Sequence, residues 1–293
     1  MRPTPALVWL VYPIIITLCG SGCSRKSDAA KPLVTPAVTV TSTSLDPGRL
    51  ARVEYRFSVA ADAPPFGENL IVFVHGVDAA GKMIWNDDHA PVTPTTRWKP
   101  GDVIEYSREM LMPSRLPPGP AFLNIGLYSP SSGERVPMAA PTEGGRTYRV
   151  ADLQIRSSTP AAPVFVDGWN TKEQEQRETE WRWTKGTANL DLPNPGKDAT
   201  LVLLVDQPAA GLPWTQEVTV RVGTELVEQF RVAAGRREIR RFMIPAAALG
   251  TGQLTRITLA VNRPFVPLNV PALQSSDSRE LGIRLFAVYF ETP

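Results

Sequence analysis

"NLIVFVHGVDAAGKMIWND", residues 69–87, decides the fold. Its first ten residues are a strongly apolar run. Asp78-Ala79-Ala80-Gly81 then supplies a turn, and a second short apolar run follows through Trp85. A run, a glycine-containing turn and a returning run make a β-hairpin. His75 alternates with Ile71, Phe73 and Val77, so its ring is expected at the core or its rim. The hairpin ends in Asp87, Asp88 and His89, just before Pro91. Short acidic side chains in such places cap turns by accepting bonds from nearby backbone N–H groups. A metal site needs three or four ligands held on fixed elements, and the chain has only two histidines. Asp87, Asp88 and His89 are therefore weak metal candidates, and no metal is assigned. The expected role is a structural turn within a loop running to Trp98.

Outward from this hairpin the same pattern repeats. AVTVTSTSL (37–45) and RVEYRFSVA (52–60) read as strands, the second placing Val53, Tyr55, Phe57 and Val59 on one face. VIEYSREMLM (103–112), two strands flanking Ser131-Ser132-Gly133, and RTYRVADLQI (146–155) complete an antiparallel set over 37–156. SSTPAAP (157–163) has the composition of a linker. Over 164–293 strands return at TANLDL, TLVLLVD, EVTVRVG, LVEQFRV, REIRRFMIP, RITLAV and RELGIRLFAVYF. Pro245 to Leu249 is expected to form one helical turn. Thr171 to Glu180 lacks the apolar stripe of a helix and is expected to be a loop or a surface turn. Proline, at 29 of 293 residues, is about twice as common as usual. It suits sheet edges and turns and breaks helix interiors. The fold class is all-β: two tandem antiparallel β-sandwich domains, immunoglobulin-like or jelly-roll-like.

The N-terminus carries an address. Arg2 precedes an apolar run, Ala6 to Leu18, too short for a membrane span of roughly 20 residues but suited to a secretory signal over 1–22. Small residues lead directly to Cys23, and Ser24 to Pro36 reads as a polar tether. The only other cysteine is Cys19, so the exported part has one leftover thiol that needs a role. This start resembles the bacterial lipobox, with Gly20 where that family usually has leucine. The resemblance implies lipidation of Cys23 and attachment of residues 23–36 to a membrane. Ser24 after the cysteine implies the outer membrane over the inner one.

Two longer stretches carry a second resemblance. IWNDDHAPVTPTTRWKPGDVIEY with LPPGPAFLNIGLYSPSSGERVPM, and GWNTKEQEQRETEWRWTKGTANLDL with NRPFVPLNVPALQSSDSRELGIRLFAVYF, are similar to extramembrane β-sandwich modules. Those modules belong to bacterial envelope polysaccharide glycosyltransferases of the dolichyl-phosphate-mannose transferase type. The resemblance implies an envelope-polysaccharide setting. It implies no activity, because no long apolar segment of a membrane-embedded transferase follows Leu18.

Net charge is only +2, with both signs interspersed, so a nucleic-acid stripe is not expected. Arg237, Ile239 and Arg241 are expected on one solvated strand face. No nucleophile elbow, phosphate loop or dinucleotide fingerprint appears, and neither a cofactor nor a catalytic residue is assigned. Glu173, Glu175, Glu178 and Glu180 crowd one polar run, which is read as a solvated face before a carboxylate pair. Candidate ligand-binding residues are the aromatic Trp169, Trp181, Trp183 and Trp214, whose rings suit pyranose faces, with Asp277 and Arg279 to orient hydroxyls. Trp181 and Trp183 share one strand face, Trp214 is the one expected to be exposed, and Asp277–Arg279 is expected to pair and fix its loop. The expected function is a non-catalytic, lipid-anchored envelope protein that binds or organises glycan, polysaccharide or its membrane glycosyltransferase. A protein–protein scaffold is the alternative, and a carboxylate-dependent hydrolase a distant third.

Overall fold

A computed structural model describes residues 30–157, 162–175, 179–207, 212 and 214–292. Cys23, the signal segment, most of the tether and Glu178 lie outside the described residues. The first unit contains β1 (Val34–Val40), β2 (Ser44–Leu45), β3 (Leu50–Val59), β4 (Ile71–Asp78), β5 (Met83–Asn86), β6 (Val103–Leu111), β7 (Gly119–Tyr128), β8 (Thr142–Gly144) and β9 (Thr147–Ile155). The second contains β10 (Val164–Trp169), β11 (Glu173–Glu175), β12 (Thr179–Pro193), β13 (Ala199–Asp206), β14 (Gln216–Val222), β15 (Glu225–Val232), β16 (Glu238–Ile244), β17 (Leu254–Val261) and β18 (Arg284–Glu291). The chain is all-β, and its helical pieces are 3₁₀ turns, one at the expected Ala246–Leu249.

In the first unit a sheet ordered β1-β3-β6 faces a second ordered β2-β9-β7-β4-β5, with β8 on β9. Pairing is antiparallel except for β2, which runs parallel to β9. Val53, Tyr55, Phe57 and Val59 form the inner face of β3, as their alternation requires. The hairpin of β4 and β5 supplies the opposing wall, with Val72 and Val74 pointing inward. Trp85 is fully buried, and its indole lies across Gly76, where any Cβ would overlap the ring. Glycine at 76 is thus required by a close approach. His75 faces the other side of β4, beside Phe73 at 4.8 Å between ring centroids, and is half-buried. The row of Ile71, Phe73 and His75 therefore forms the outer face of β4, because Val72 and Val74 occupy the inner one.

The second unit is built differently. Its strands form one nine-stranded sheet, ordered β15-β14-β17-β12-β18-β13-β16, with β10 and β11 also on β12. The long strand β12 makes this possible. Its C-terminal half, Thr187 to Pro193, pairs with β17, whereas Arg182 and Trp183 pair with β18. Between them Thr184 is fully buried and its hydroxyl accepts the Ile283 N–H at 3.0 Å. The strand passes from one layer to the other, and the sheet rolls into a nearly closed barrel. Phe230 of β15 and Phe242 of β16 meet across the gap, 5.8 Å apart. Leu190, Leu201, Leu203, Val218, Val220 and Leu259 fill the interior.

The polar run expected as a loop or a turn pairs as strands. Glu173–Glu175 runs antiparallel to Thr179–Trp181. With no apolar stripe to bury, the run forms a ribbon held by backbone bonds to β12. A second expectation also changes. The face of Arg237, Ile239 and Arg241 is the seam between the units. Ile239 packs with Val202, Leu204, Ala287 and Tyr289 against Leu50 and Leu111 of the first unit. Arg241 reaches Glu109 at 3.4 Å, and the Leu50 N–H donates to the Tyr289 hydroxyl at 3.2 Å. Apolar contacts from strands far apart in sequence made this face invisible to strand periodicity.

Candidate functional site

Asp87, Asp88 and His89 continue the pairing of β5 along β4. The Asp87 N–H donates to Val74 O, and His89 exchanges both backbone bonds with Val72. Asp88 accepts the Val74 N–H at 3.0 Å, the backbone-holding role its side chain suggests. Asp87 faces Arg108 of β6 at 3.4 Å. His89 is 7% exposed. Its Nδ1 lies 2.9 Å from Asp87 O, so it carries the proton and donates. Nε2, 2.9 Å from the Tyr106 hydroxyl, then accepts from it. Burial, with the Arg108 charge, depresses the His89 pKa to about 4. Burial pushes the Tyr55 and Tyr106 hydroxyls upward, and it raises Asp87 against the opposing pull of Arg108. The three side chains thus point to different partners and knit the open side of the sandwich.

The aromatic candidates separate as well. Trp169 donates its indole N–H to Asn189 O at 2.7 Å and stacks edge-on against Phe165, so it braces β10 on β12. Trp183 is buried in a satellite cluster with Phe265 and Leu281, and Trp181 and Trp214 pack against it half-buried. Leu212 and Trp214 pack onto this cluster, which reduces the exposure expected for the Trp214 ring. Asp277 and Arg279 do form an ion pair, at 2.7 Å, and Arg279 also reaches Glu173 at 2.5 Å. The Arg279 hydrogen bonds hold the Asp277 carboxyl below its ordinary range. This pairing pins the loop before β18 to the β11 ribbon.

Trp181 has a second setting. It forms part of a groove that runs along the junction of the two units, composed of two adjoining depressions of about 310 and 240 Å³. Gly48, Ser114 and Val288 belong to both. One end carries Arg49, Tyr289 and Asn194, and the other carries Phe165, Lys172, Glu180, Trp181 and Arg182. At the latter end a polar chain crosses between units. Lys172 donates to Glu180 at 2.6 Å, and the Ser114 hydroxyl donates to the other Glu180 oxygen at 2.8 Å. Burial raises the Glu180 pKa, but these two bonds and the charges of Lys172 and Arg115 outweigh it, leaving the carboxyl below its usual range. Glu180 is the only carboxylate on the groove wall among the described residues. The Trp181 indole nitrogen is buried with no hydrogen-bond partner. Gly48, Ser114, Glu180 and Val288 lie far apart in the chain, and nothing in their local sequence announces that they converge.

No protein-family model and no curated protein matches the chain. Among solved structures it is similar to an exo-β-1,3-galactanase from Phanerochaete chrysosporium with β-1,3-galactotriose. Identity is 10% and the TM-score 0.30, over 88% of this chain and 56% of that one. It is also similar to the CBM51-2 domain in complex with GlcNAc, and INT domains, of Clostridium perfringens ZmpB. There identity is 9% and the TM-score 0.22, over 86% of this chain and 40% of that one. The chain spans little more than half the length of the galactanase. Overlap at this level says nothing of ligand or activity. Among the described residues no helix is long and apolar enough to cross a membrane.

Proposed function

We propose that this chain is a non-catalytic protein of the bacterial cell envelope, tethered through a lipid on Cys23, that binds glycan chains in the junction groove. The observation that carries the reading is that Trp181, whose ring also packs beside Arg284 and Phe286, lines a groove that holds the Lys172–Glu180–Ser114 chain. Aromatic rings pack on the C–H faces of pyranoses, and a few fixed polar groups select hydroxyls. Glycoside hydrolysis ordinarily needs two carboxyl groups across a cleft, one of them protonated. Among the described residues the one groove carboxylate is hydrogen-bonded and favoured in its charged form, which supports binding without cleavage.

The placement of the first unit suits a tethered binder. β1 begins where β3 ends, with Val34 opposite Val59, while the start of β3, Leu50, lies at the seam. A ten-residue strand spans roughly 30 Å, so the first unit holds the groove that far from the tether. A glycan array probed with the chain from Ser24 onward tests the reading. Binding to envelope polysaccharide fragments is expected, and Trp181→Ala should weaken it about tenfold, a loss of about 1.4 kcal/mol. Absence of binding to any glycan overturns it. The anchor has its own test: in cells, Cys23→Ala should shift the protein from membrane to soluble fractions.

A further inference from the structure

The charge of the groove wall is lopsided. Among the described residues Arg49, Lys172 and Arg182 line it against Glu180 alone, and Lys172 already occupies that carboxylate. Arg115 stands close enough to act on Glu180 electrostatically, adding a further positive charge. The two lining arginines have no acid within ion-pair distance among the described residues. Both are instead held on aromatic rings. The Arg49 guanidinium lies 4.7 Å from the centre of Tyr289, with its Nε buried and unpartnered. Arg182 lies 4.6 Å from the centre of Phe165 and donates one bond to Asn170 O at 3.2 Å. A guanidinium held over a ring keeps its planar fork of donors while losing side-chain freedom in advance. Such a fork matches the paired oxygens of a carboxylate or phosphate.

We infer that the groove selects glycans bearing oxyanion substituents, uronate carboxylates or phosphate esters, over neutral ones. Arg49 and Arg182 bind the anionic groups at the two ends of the groove, and Trp181 packs a sugar face at the Arg182 end. The inference deepens the glycan reading and depends on it.

Calorimetric titration of the chain from Ser24 onward tests it, with hexagalacturonate, phosphorylated mannan, neutral galacto-oligosaccharide and polyacrylate as probes. At least one acidic glycan should bind about tenfold more tightly than the neutral one. The stronger acidic probe tells uronate from phosphate. Arg49→Gln with Arg182→Gln should bring acidic and neutral affinities within about twofold, while Arg49→Lys should retain part of the preference. An unchanged thermal midpoint excludes misfolding of the variants, and loss of fold in the double variant leaves the wild-type comparison to decide. Equal binding of neutral and acidic glycans overturns the inference while the glycan reading stands. Equal binding of polyacrylate and the acidic glycans also overturns it, because charge alone would then suffice. Failure of every glycan overturns both.

Discussion

The two units solve the same packing problem in opposite ways, and the proposed function rests on that contrast. The first closes its core with two separate sheets and consumes its polar residues internally. Asp88 holds Val74, Asp87 meets Arg108, and His89 joins its own strand to Tyr106 on the facing sheet. The second rolls one sheet around strand β12, whose N-terminal end brings Glu180, Trp181 and Arg182 to the groove wall. In the proposed reading the rolled sheet offers one outer face to dock and a rim to bind, and the sandwich, knitted between its two sheets, serves as a spacer.

The largest effect should come from the spacer's core. Trp85→Ala removes a fully buried indole laid across Gly76, at a cost of about 3–5 kcal/mol. Urea denaturation should show an early transition in the first unit, with the second unit unfolding later. A single transition moving as one would show that the seam couples the two units more strongly than this contrast allows.

A smaller effect should come from His89. Its folded pKa of about 4 lies below the ordinary value of about 6.5. Between those values the unfolded chain takes up a proton that the folded chain does not. The contribution of His89 is therefore complete above about pH 6.5 and is lost as pH falls toward 4. Asp87, Arg108, Tyr106 and Tyr55 face the ring, and the raised Asp87 pKa acts in the opposite sense. The difference between wild type and His89→Gln isolates the histidine: the gap in stability should shrink as pH drops through this window. A gap independent of pH would refute the neutral, buried assignment.

The smallest effect should be that of Arg182→Gln on folding. A half-exposed groove residue changes stability by about 0.5 kcal/mol or less, although the same substitution should reduce affinity for an acidic glycan. A loss of stability several times larger would make Arg182 a brace of the second unit, and the contrast between a knitted spacer and an open rim would fail there.

Much of this architecture is legible along the chain. Period-two alternation in β3 and the apolar run of β4 foretell the first sandwich, because a strand buried on one face has no other way to arrange its side chains. The Asp277–Arg279 pair is legible for a similar reason, since two residues of separation and opposite charge suffice to pin a loop. The β11 ribbon is not legible: its residues contribute backbone bonds and carry no apolar signal. Nor is the roll of the second sheet, which depends on one strand pairing with β17 at one end and β18 at the other. Trp214 illustrates the limit from another side. A tryptophan between a proline and polar residues reads as exposed, yet tertiary packing against Trp183 and Phe265 gathers it in. The groove lies beyond local reading altogether, because its walls come from segments scattered between Pro47 and Thr292.

The most direct test of the central claim follows the indole N–H signals of the tryptophans by NMR during titration with a bound glycan. Trp181, which lines the groove and whose indole N–H is buried without a partner, should shift progressively and saturate, while buried Trp85 and the braced Trp169 stay still. Saturable binding that leaves the Trp181 signal unmoved would place the ligand elsewhere and contradict the account.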